Sequence, residues 1–190
     1  MRHLRTLALL VLAAGVLAAC GNNSSSSSSA TDSTLVGDTG GFEIRPVYAR
    51  YAPGVPFGPE VPKAVLTEMQ QQSCPMTARV VQDMLMECDA AKTVYLLRNP
   101  IVQGGVTSAT AKQIGHKDLW YIEVGLDQTA TAAMQDQIKN DVGSELAFVY
   151  GGQVVTSIAV DSSLHADHVA VLGDFDKAQA TKLAQQIAGA

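Results

Sequence analysis

The clearest signal for the fold lies in residues 146–157, which read LAFVYGGQVVTS. Residues 146–150 are apolar throughout, as is typical of a central strand that is buried on both faces. Gly151 and Gly152 follow, and glycine readily adopts the positive φ that a two-residue hairpin turn requires. The chain then returns through residues 154–160, which form the partner strand. The segment therefore predicts a hairpin whose first strand lies inside a sheet.

The segment that follows the hairpin predicts one more strand and a C-terminal helix. The strand covers residues 168–172. The helix is predicted to begin directly after Asp176, because an aspartate side chain is a preferred N-terminal cap. Apolar residues then recur at the spacing of one helical face. This predicted buried face consists of Ala180, Leu183, Ala184 and Ile187.

The segment that precedes the hairpin predicts the same pair of elements. Residues 120–126 place apolar side chains at every second position, which indicates a strand with one face in the core. Asp127 follows at a helix-capping position, and Gly143 is expected to end the helix. The predicted buried face of this helix consists of Ala130, Met134, Ile138 and Val142.

Shorter strands are predicted nearer the N-terminus, at residues 93–97 and 106–114. Residues 42–47 alternate apolar and polar side chains, which is also typical of a strand. Pro46 lies within this segment and lacks the N–H that a neighbouring strand would accept. Residues 42–47 therefore predict an edge strand.

These elements together predict an α+β domain over residues 42–190. Its expected fold is an antiparallel or mixed sheet with two helices packed on one face. A further short helix is expected near residues 63–72, after a proline-rich loop at residues 52–62.

The N-terminus has the pattern of an export signal. Arg2 and Arg5 precede an apolar run over residues 6–17, which is too short to span a bilayer and ends in small residues. The following residues, LAACG at 17–21, resemble the lipobox of bacterial lipoproteins. The resemblance implies cleavage before Cys20 and acylation of that cysteine, and two or more acyl chains anchor a protein stably. An ordinary secretory signal with an incidental cysteine is the alternative.

The predicted organisation is a signal peptide over residues 1–19, a lipidated cysteine with a Ser-rich tether over residues 20–41, and the folded domain behind it. We expect the protein on the outer face of the cell membrane. The net charge is −5, and it becomes −7 once Arg2 and Arg5 leave with the signal peptide. Because an acidic surface repels phosphate groups, nucleic acid is not an expected partner.

Cys74 and Cys88 are the cysteines that remain besides Cys20. An exported domain with two cysteines most simply forms one disulfide, so we predict that they are paired. Two unpaired buried thiols are the alternative. A catalytic thiol is disfavoured, because no histidine lies nearby in the sequence and exported free thiols oxidise.

The densest group of metal-ligating residue types is His165, Asp167 and His168. Side chains three positions apart in an extended chain point to opposite sides, so the two histidines converge only if a turn forms between them. No second cluster in the sequence offers further ligands. We therefore expect a solvated turn here, and neither a metal ion nor a cofactor.

Four acidic residues are candidates for acid–base chemistry, but their positions predict a helix cap and a solvated helix face. They are Asp127, Asp136, Asp141 and Glu145. Because no catalytic constellation can be assembled from the sequence, we expect a protein that is not an enzyme.

The order and spacing of these segments resemble the head subdomain of the first large extracytoplasmic domain of SecD, a membrane protein of protein export. The resemblance is good from residue 95 to the C-terminus, and residues 42–47 resemble the strand that opens the domain in actinobacterial members. The landmarks that carry it are VYLL at 94–97, GGVTSA at 104–109, the strand and helix that begin at 120, the hairpin at 146–157 and GDFD at 173–176.

SecD itself carries transmembrane helices and works with SecF, using the proton gradient to help move exported chains. This sequence predicts no transmembrane helix after its signal, so the motor activity is not carried over. The resemblance implies contact with exported, not yet folded polypeptide or with the Sec machinery. We therefore predict a non-enzymatic, lipid-anchored binding module, with the sheet edge that begins at Phe42 as one candidate surface.

Two other interpretations stay open. The protein is alternatively an envelope lipoprotein that binds a small ligand or has a structural role, or else an unrecognised enzyme. A deep polar pocket would favour a small ligand or a substrate, whereas an apolar groove or an open sheet edge would favour polypeptide.

Overall fold

The structure, a computed structural model, describes residues 41–52, 54–55, 61–115 and 117–189. These ranges contain ten strands and three helices. The strands are β1 (Phe42–Tyr51), β2 (Arg79–Val81), β3 (Met84–Cys88), β4 (Val94–Leu97), β5 (Val102–Gln103), β6 (Val106–Gln113), β7 (Trp120–Leu126), β8 (Glu145–Tyr150), β9 (Gln153–Ala159) and β10 (His168–Phe175). The helices are α1 (Lys63–Gln70), α2 (Gln128–Asn140) and α3 (Lys177–Ala188).

The larger sheet has the strand order β2-β3-β4-β1-β8-β9, with β5 also paired to β1, and its strand pairs are antiparallel. The sheet curls until β9 approaches β3. Asp89, which follows β3, forms an isolated bridge with Val154, and Tyr95 Oη lies 3.3 Å from Ser157 Oγ. The concave side therefore encloses a small interior, which contains Leu85, Tyr95, Leu97, Ala147, Val149 and Val154.

The smaller sheet has the antiparallel order β10-β7-β6. Alternate residues of its strands, such as Ile122 and Val171, are fully buried. They pack against one face of the larger sheet and against α2 and α3. The main hydrophobic core therefore lies between the two sheets and these helices, and it also contains Phe42, Ile44, Phe148, Met134, Ala184 and Ile187.

The predicted α+β fold class is confirmed, and the predicted hairpin is β8 and β9. Gly151 and Gly152 form its turn with φ of 59° and 73°. Asp127 caps α2 through a hydrogen bond from Ala130 N, and Asp176 caps α3 within a capping box. These elements were predictable because each depends on neighbouring residues alone.

The arrangement differs from the predicted single sheet, because the strands separate into two sheets. The short helix expected near residues 63–72 is confirmed as α1. Val65 and Met69 of α1 are buried in a smaller, separate hydrophobic core beside β3 and β4. The helix α1 is remote from α2 and α3 in the sequence. The helix α2 ends at Asn140, so Val142 lies beyond it and is 64% exposed rather than part of the buried face.

The prediction that residues 42–47 form an edge strand is wrong. The strand β1 lies inside the larger sheet and pairs with β8 on one side and with β4 and β5 on the other. Pro46 is tolerated there because it lies opposite the break between β4, which ends at Leu97, and β5, which begins at Val102. At this break the Pro46 carbonyl accepts a hydrogen bond from Arg98 N at 2.9 Å. The edge at Phe42 is therefore covered and is not a docking surface.

Candidate functional site

An open groove of about 640 Å³ runs over the outer face of the smaller sheet. Because Ile122 and Val124 point into the core, strand alternation places Tyr121 and Glu123 of β7 on the opposite, outer face. The strand β10 and the end of β6 continue this face, and the end of β9 with the loop behind it forms a wall. The lining consists of Ile114, Tyr121, Glu123, Ile158, Ala159, Asp161, Ser163, Leu164, His165, His168, Val169, Ala170 and Leu172.

The groove is mainly apolar and follows a free sheet edge. Leu172 is 45% exposed, although leucine is usually buried. Its strand, β10, is an outer strand of the smaller sheet, and an outer strand leaves alternate N–H and C=O groups unpaired within its sheet. The groove thus offers both apolar contact area and main-chain hydrogen-bonding groups, which are the two features that bind an extended peptide.

The charges of the groove are negative. Hydrogen bonds from the side chain and backbone of Ser163 lower the pKa of Asp161, so this carboxylate is ionised at neutral pH. Glu123 accepts a hydrogen bond from Lys112, whose pKa this bond raises. Among the described residues that line the groove there is no lysine or arginine. The groove therefore favours neutral or basic segments over acidic ones.

The structure brings His165, Asp167 and His168 together at the rim of the groove. A bend at residues 166–167 stacks the two imidazole rings, with centroids 4.6 Å apart and planes at 16°. Asp167 Oδ1 lies 2.9 Å from His168 Nδ1. The expected turn therefore forms before β10 begins, and it is this turn that lets the two histidines converge.

A second group of polar residues lies inside the curled sheet, where no functional residue was predicted. Glu43, Arg45 and Glu87 are at most 1% exposed. Arg45 Nε donates to Glu43 Oε2 at 2.6 Å, and Arg45 Nη1 donates to Arg98 O at 3.2 Å. The two carboxylate oxygens of Glu87 accept no hydrogen bond within the described part of the chain. Burial raises the pKa of Glu87 from 4.5 to about 7, an effect that Arg45 opposes and Glu43 strengthens.

A second cavity, of about 480 Å³, opens between the curled sheet and the start of α3. At its side, Tyr95 donates to Asp89 Oδ2 at 3.1 Å, and Ser157 donates to Glu145. Burial raises the pKa of Tyr95. The described lining of this cavity contains no histidine or lysine that could serve as a base for Ser157. The arrangement suits hydrogen bonding to a small polar molecule better than nucleophilic chemistry.

The four acidic candidates for acid–base chemistry do not converge on either cavity as a group. Asp127 caps α2, while Asp136 and Asp141 are exposed at α2 and its end. Glu145 does not lie on a solvated helix face as predicted, because it is the first residue of β8. Its side chain accepts a hydrogen bond from Ser157 and forms an ion pair with Arg50 at 3.2 Å.

Cys74 and Cys88 are joined in a disulfide with their Cα atoms 5.9 Å apart, within the distance that a disulfide can span. The disulfide links the segment that follows α1 to the end of β3. The signal peptide, Cys20 and the tether up to residue 40 lie outside the described residues, so the predicted lipidation stays a prediction.

Comparison with known families identifies the part of the chain that carries the groove. The sequence model of the SecDF P1 head subdomain matches residues 79–190, more than half of the chain. The chain belongs to the SecDF P1 head family. The P1 head match extends from β2 to the C-terminus, whereas β1 and α1 precede it. It therefore includes the strands β6, β7 and β10, the groove and the residues that line the second cavity.

A solved structure of SecDF shares the fold of this P1 head protein at low sequence identity. The crystal structure of SecDF in its super-membrane-facing form matches with a TM-score of 0.51 and 15% identity over 81% of this chain and 19% of that one. A structure of the membrane component SecDF that enhances protein export matches with a TM-score of 0.46 and 14% identity over 81% of this chain and 62% of that one. The chain thus corresponds to less than two thirds of either structure.

A comparison with curated protein sequences finds no significant match. Within the described residues of this P1 head protein, none of the helices is both long and apolar enough to cross a membrane. The confirmed resemblance is to the SecDF P1 head subdomain.

Proposed function

We propose that this protein is a non-enzymatic, lipid-anchored P1 head module of the cell envelope that binds extended segments of exported polypeptides. The observation that carries the proposal is the apolar groove beside β10, which lies within the segment that matches the P1 head. Membership in a family of head subdomains supports a binding role rather than an enzymatic one.

The binding mode follows from the groove and its edge. A polypeptide in an extended conformation lies beside β10, and its main chain pairs with the free N–H and C=O groups of that strand. Alternate side chains of the bound segment contact Leu172 and its apolar neighbours on the outer face. Because main-chain hydrogen bonds do not depend on side chains, the module accepts many sequences. An unfolded chain loses conformational freedom on docking, so the expected affinity is micromolar or weaker.

The anchor restricts where this binding takes place. Acylation of Cys20 holds the chain at the outer face of the membrane. The domain therefore stays within reach of chains that emerge from the membrane. The family relation supports the Sec machinery as a second partner.

Site-specific photocrosslinking in intact cells tests the proposed groove. A photoreactive amino acid replaces Leu172, which is 45% exposed in the groove, and in a matched control it replaces Val142, which is 64% exposed beyond α2. We expect crosslinks to newly exported proteins from position 172 but not from position 142. Equal crosslinking from both positions, or none from position 172, would contradict groove binding.

A second candidate function, binding of a small polar ligand, is favoured by the cavity of about 480 Å³ beside Tyr95 and Ser157. Its hydrogen-bonding groups are those that a hydroxylated or amide-containing molecule would pair with. Replacement of Ser157 by Ala would then abolish ligand-induced thermal stabilisation by such a compound, whereas Leu172→Asp would not. The opposite pattern, with polypeptide as the ligand, supports the groove.

A further inference from the structure

We propose that His165, Asp167 and His168 bind one divalent transition-metal ion, of the class of Zn²⁺ or Cu²⁺, at the rim of the groove. One donor atom from each of the three side chains lies within 4.8 Å of the other two. This site does not depend on polypeptide binding, and the two proposals can succeed or fail separately.

The loop that carries the site is held at both ends. Asp161 accepts a hydrogen bond from Ser163 N at 2.7 Å, and its carbonyl accepts one from Leu164 N at 3.2 Å. At the other end, Asp167 O accepts a hydrogen bond from Leu126 N of β7 at 2.9 Å. The backbone that presents the three side chains is therefore fixed before any ion binds, which lowers the conformational cost of binding.

The side chains must rotate to reach one ion, because the stacked imidazole rings do not direct their in-plane nitrogen lone pairs at a common point. A metal ion bound by histidine lies about 2.1 Å from each nitrogen, so the donor atoms must approach one another somewhat. The side chains of Asp167 and His168 are 71% and 43% exposed, and His165 is also exposed, so they can rotate without disturbing the core.

The contact between Asp167 and His168 determines which ring nitrogen of His168 is available to a metal ion. A carboxylate that accepts the Nδ1–H of an imidazole fixes the tautomer in which Nε2 carries the lone pair, and this arrangement commonly supports metal-bound histidines. Asp167 therefore either orients His168 or itself moves onto the ion. In both cases His165 and His168 supply the two nitrogen ligands, and water completes the coordination.

The donor set and the charges select the class of ion. Imidazole ligands favour zinc, copper and nickel, whereas calcium and magnesium prefer oxygen ligands throughout. Asp161 lines the same groove as an ionised carboxylate, whereas the groove's other carboxylate, Glu123, is paired with Lys112. The site therefore matches a transition-metal ion in both chemistry and charge.

Isothermal titration calorimetry of the detergent-solubilised full chain with Zn²⁺ tests the site. All proteins carry His116→Ala, so that the remaining histidines of the mature chain are His165 and His168. We expect one Zn²⁺ per chain with a micromolar dissociation constant, and a loss of affinity of at least about tenfold in His165→Gln and in His168→Gln. Asp136→Asn, an exposed carboxylate on α2, serves as the control and should bind like the parent.

Electron paramagnetic resonance with Cu²⁺ provides a measurement that does not rely on the variants folding. We expect hyperfine structure from two coordinated nitrogens in the parent protein and its loss in the double variant His165→Gln/His168→Gln. Absence of nitrogen coordination in the parent, or unchanged Zn²⁺ affinity in a folded double variant, would overturn the proposal. So would a failure to bind Zn²⁺ below millimolar concentration.

Discussion

Replacing Glu87 by Gln should remove most of the pH dependence of stability between pH 5 and pH 8. Glu87 is fully buried in the curled sheet, where Arg45 and Glu43 of β1 are the charged groups that act on it and Tyr95 of β4 is its direct partner in the strand register. Burial disfavours the charged carboxylate and raises its pKa to about 7. The carboxyl group is therefore neutral in the folded protein at pH 5 and ionised at pH 8.

The direction of the effect follows from proton binding. Between the unfolded pKa of 4.5 and the folded pKa of about 7, the folded state keeps a proton that the unfolded state has lost. The free energy of unfolding therefore falls as pH rises through this window. At about 1.4 kcal/mol per pKa unit, the difference amounts to about 3 kcal/mol. Glutamine keeps the shape of the side chain but does not titrate, so this contribution disappears in Glu87→Gln.

Urea unfolding at pH 5, 6, 7 and 8, followed by far-UV circular dichroism with the disulfide intact, measures the effect. The parent should lose about 3 kcal/mol of stability across the series, and Glu87→Gln should stay nearly constant. Glu68→Gln is the matched control, because Glu68 is 37% exposed in a surface ion pair with Arg79. Parallel curves for the parent and Glu87→Gln would refute the reasoning, as would a parent whose stability rises with pH.

Three further predictions concern the anchor, the disulfide and a helix cap. Cys20→Ala should move the protein from the membrane to the soluble fraction in fractionated cells, and a variant that still pellets after high-salt washing would exclude the lipid as the anchor. Reduction of the Cys74–Cys88 bond, which closes a loop with a sequence separation of 14, should lower stability by about 3 kcal/mol in denaturant titrations, while an unchanged midpoint would show that the loop is ordered without it. Asp176→Ala should cost about 1 kcal/mol through loss of the α3 cap, and the exposed neighbour variant Asp174→Ala should cost little; equal losses would argue against the capping box.

The elements that the sequence predicted are those with local signals. The Gly151–Gly152 turn, the alternation over β7 and the aspartate caps of α2 and α3 each need only a few neighbouring residues. The hairpin of β2 and β3 was missed for the same reason. Its turn residues, Gln82 and Asp83, adopt φ of 49° and 61°, a conformation that a sequence normally signals with glycine.

The buried charges were not predictable because they depend on the curl of the larger sheet. The alternation of Glu43 and Arg45 with apolar residues is typical of a strand with one wet face. In the structure the second face is also enclosed, because β9 returns to β3 and closes over it. No segment of the sequence contains this information, since the closure brings together residues more than 60 positions apart.

The candidate site was predictable only in outline. The relation to the P1 head pointed to polypeptide binding, but the expected surface at Phe42 is covered by neighbouring strands. The groove arises instead where the loop that follows β9 in the sequence lies beside the outer face of β10 and β7. Leu172 alone gives a local hint, because it lies on the less buried face of a strand that alternates.

Amide chemical shifts of the detergent-solubilised full chain, titrated with one exported protein in unfolded and folded forms, test polypeptide binding in the groove. We predict that the unfolded form shifts resonances of β10 and of the loop at residues 161–165, with micromolar or weaker affinity, and that the folded form shifts none of them. If neither form perturbs any resonance at high concentration, or if the shifts cluster around Tyr95 and Ser157 instead, groove binding is contradicted.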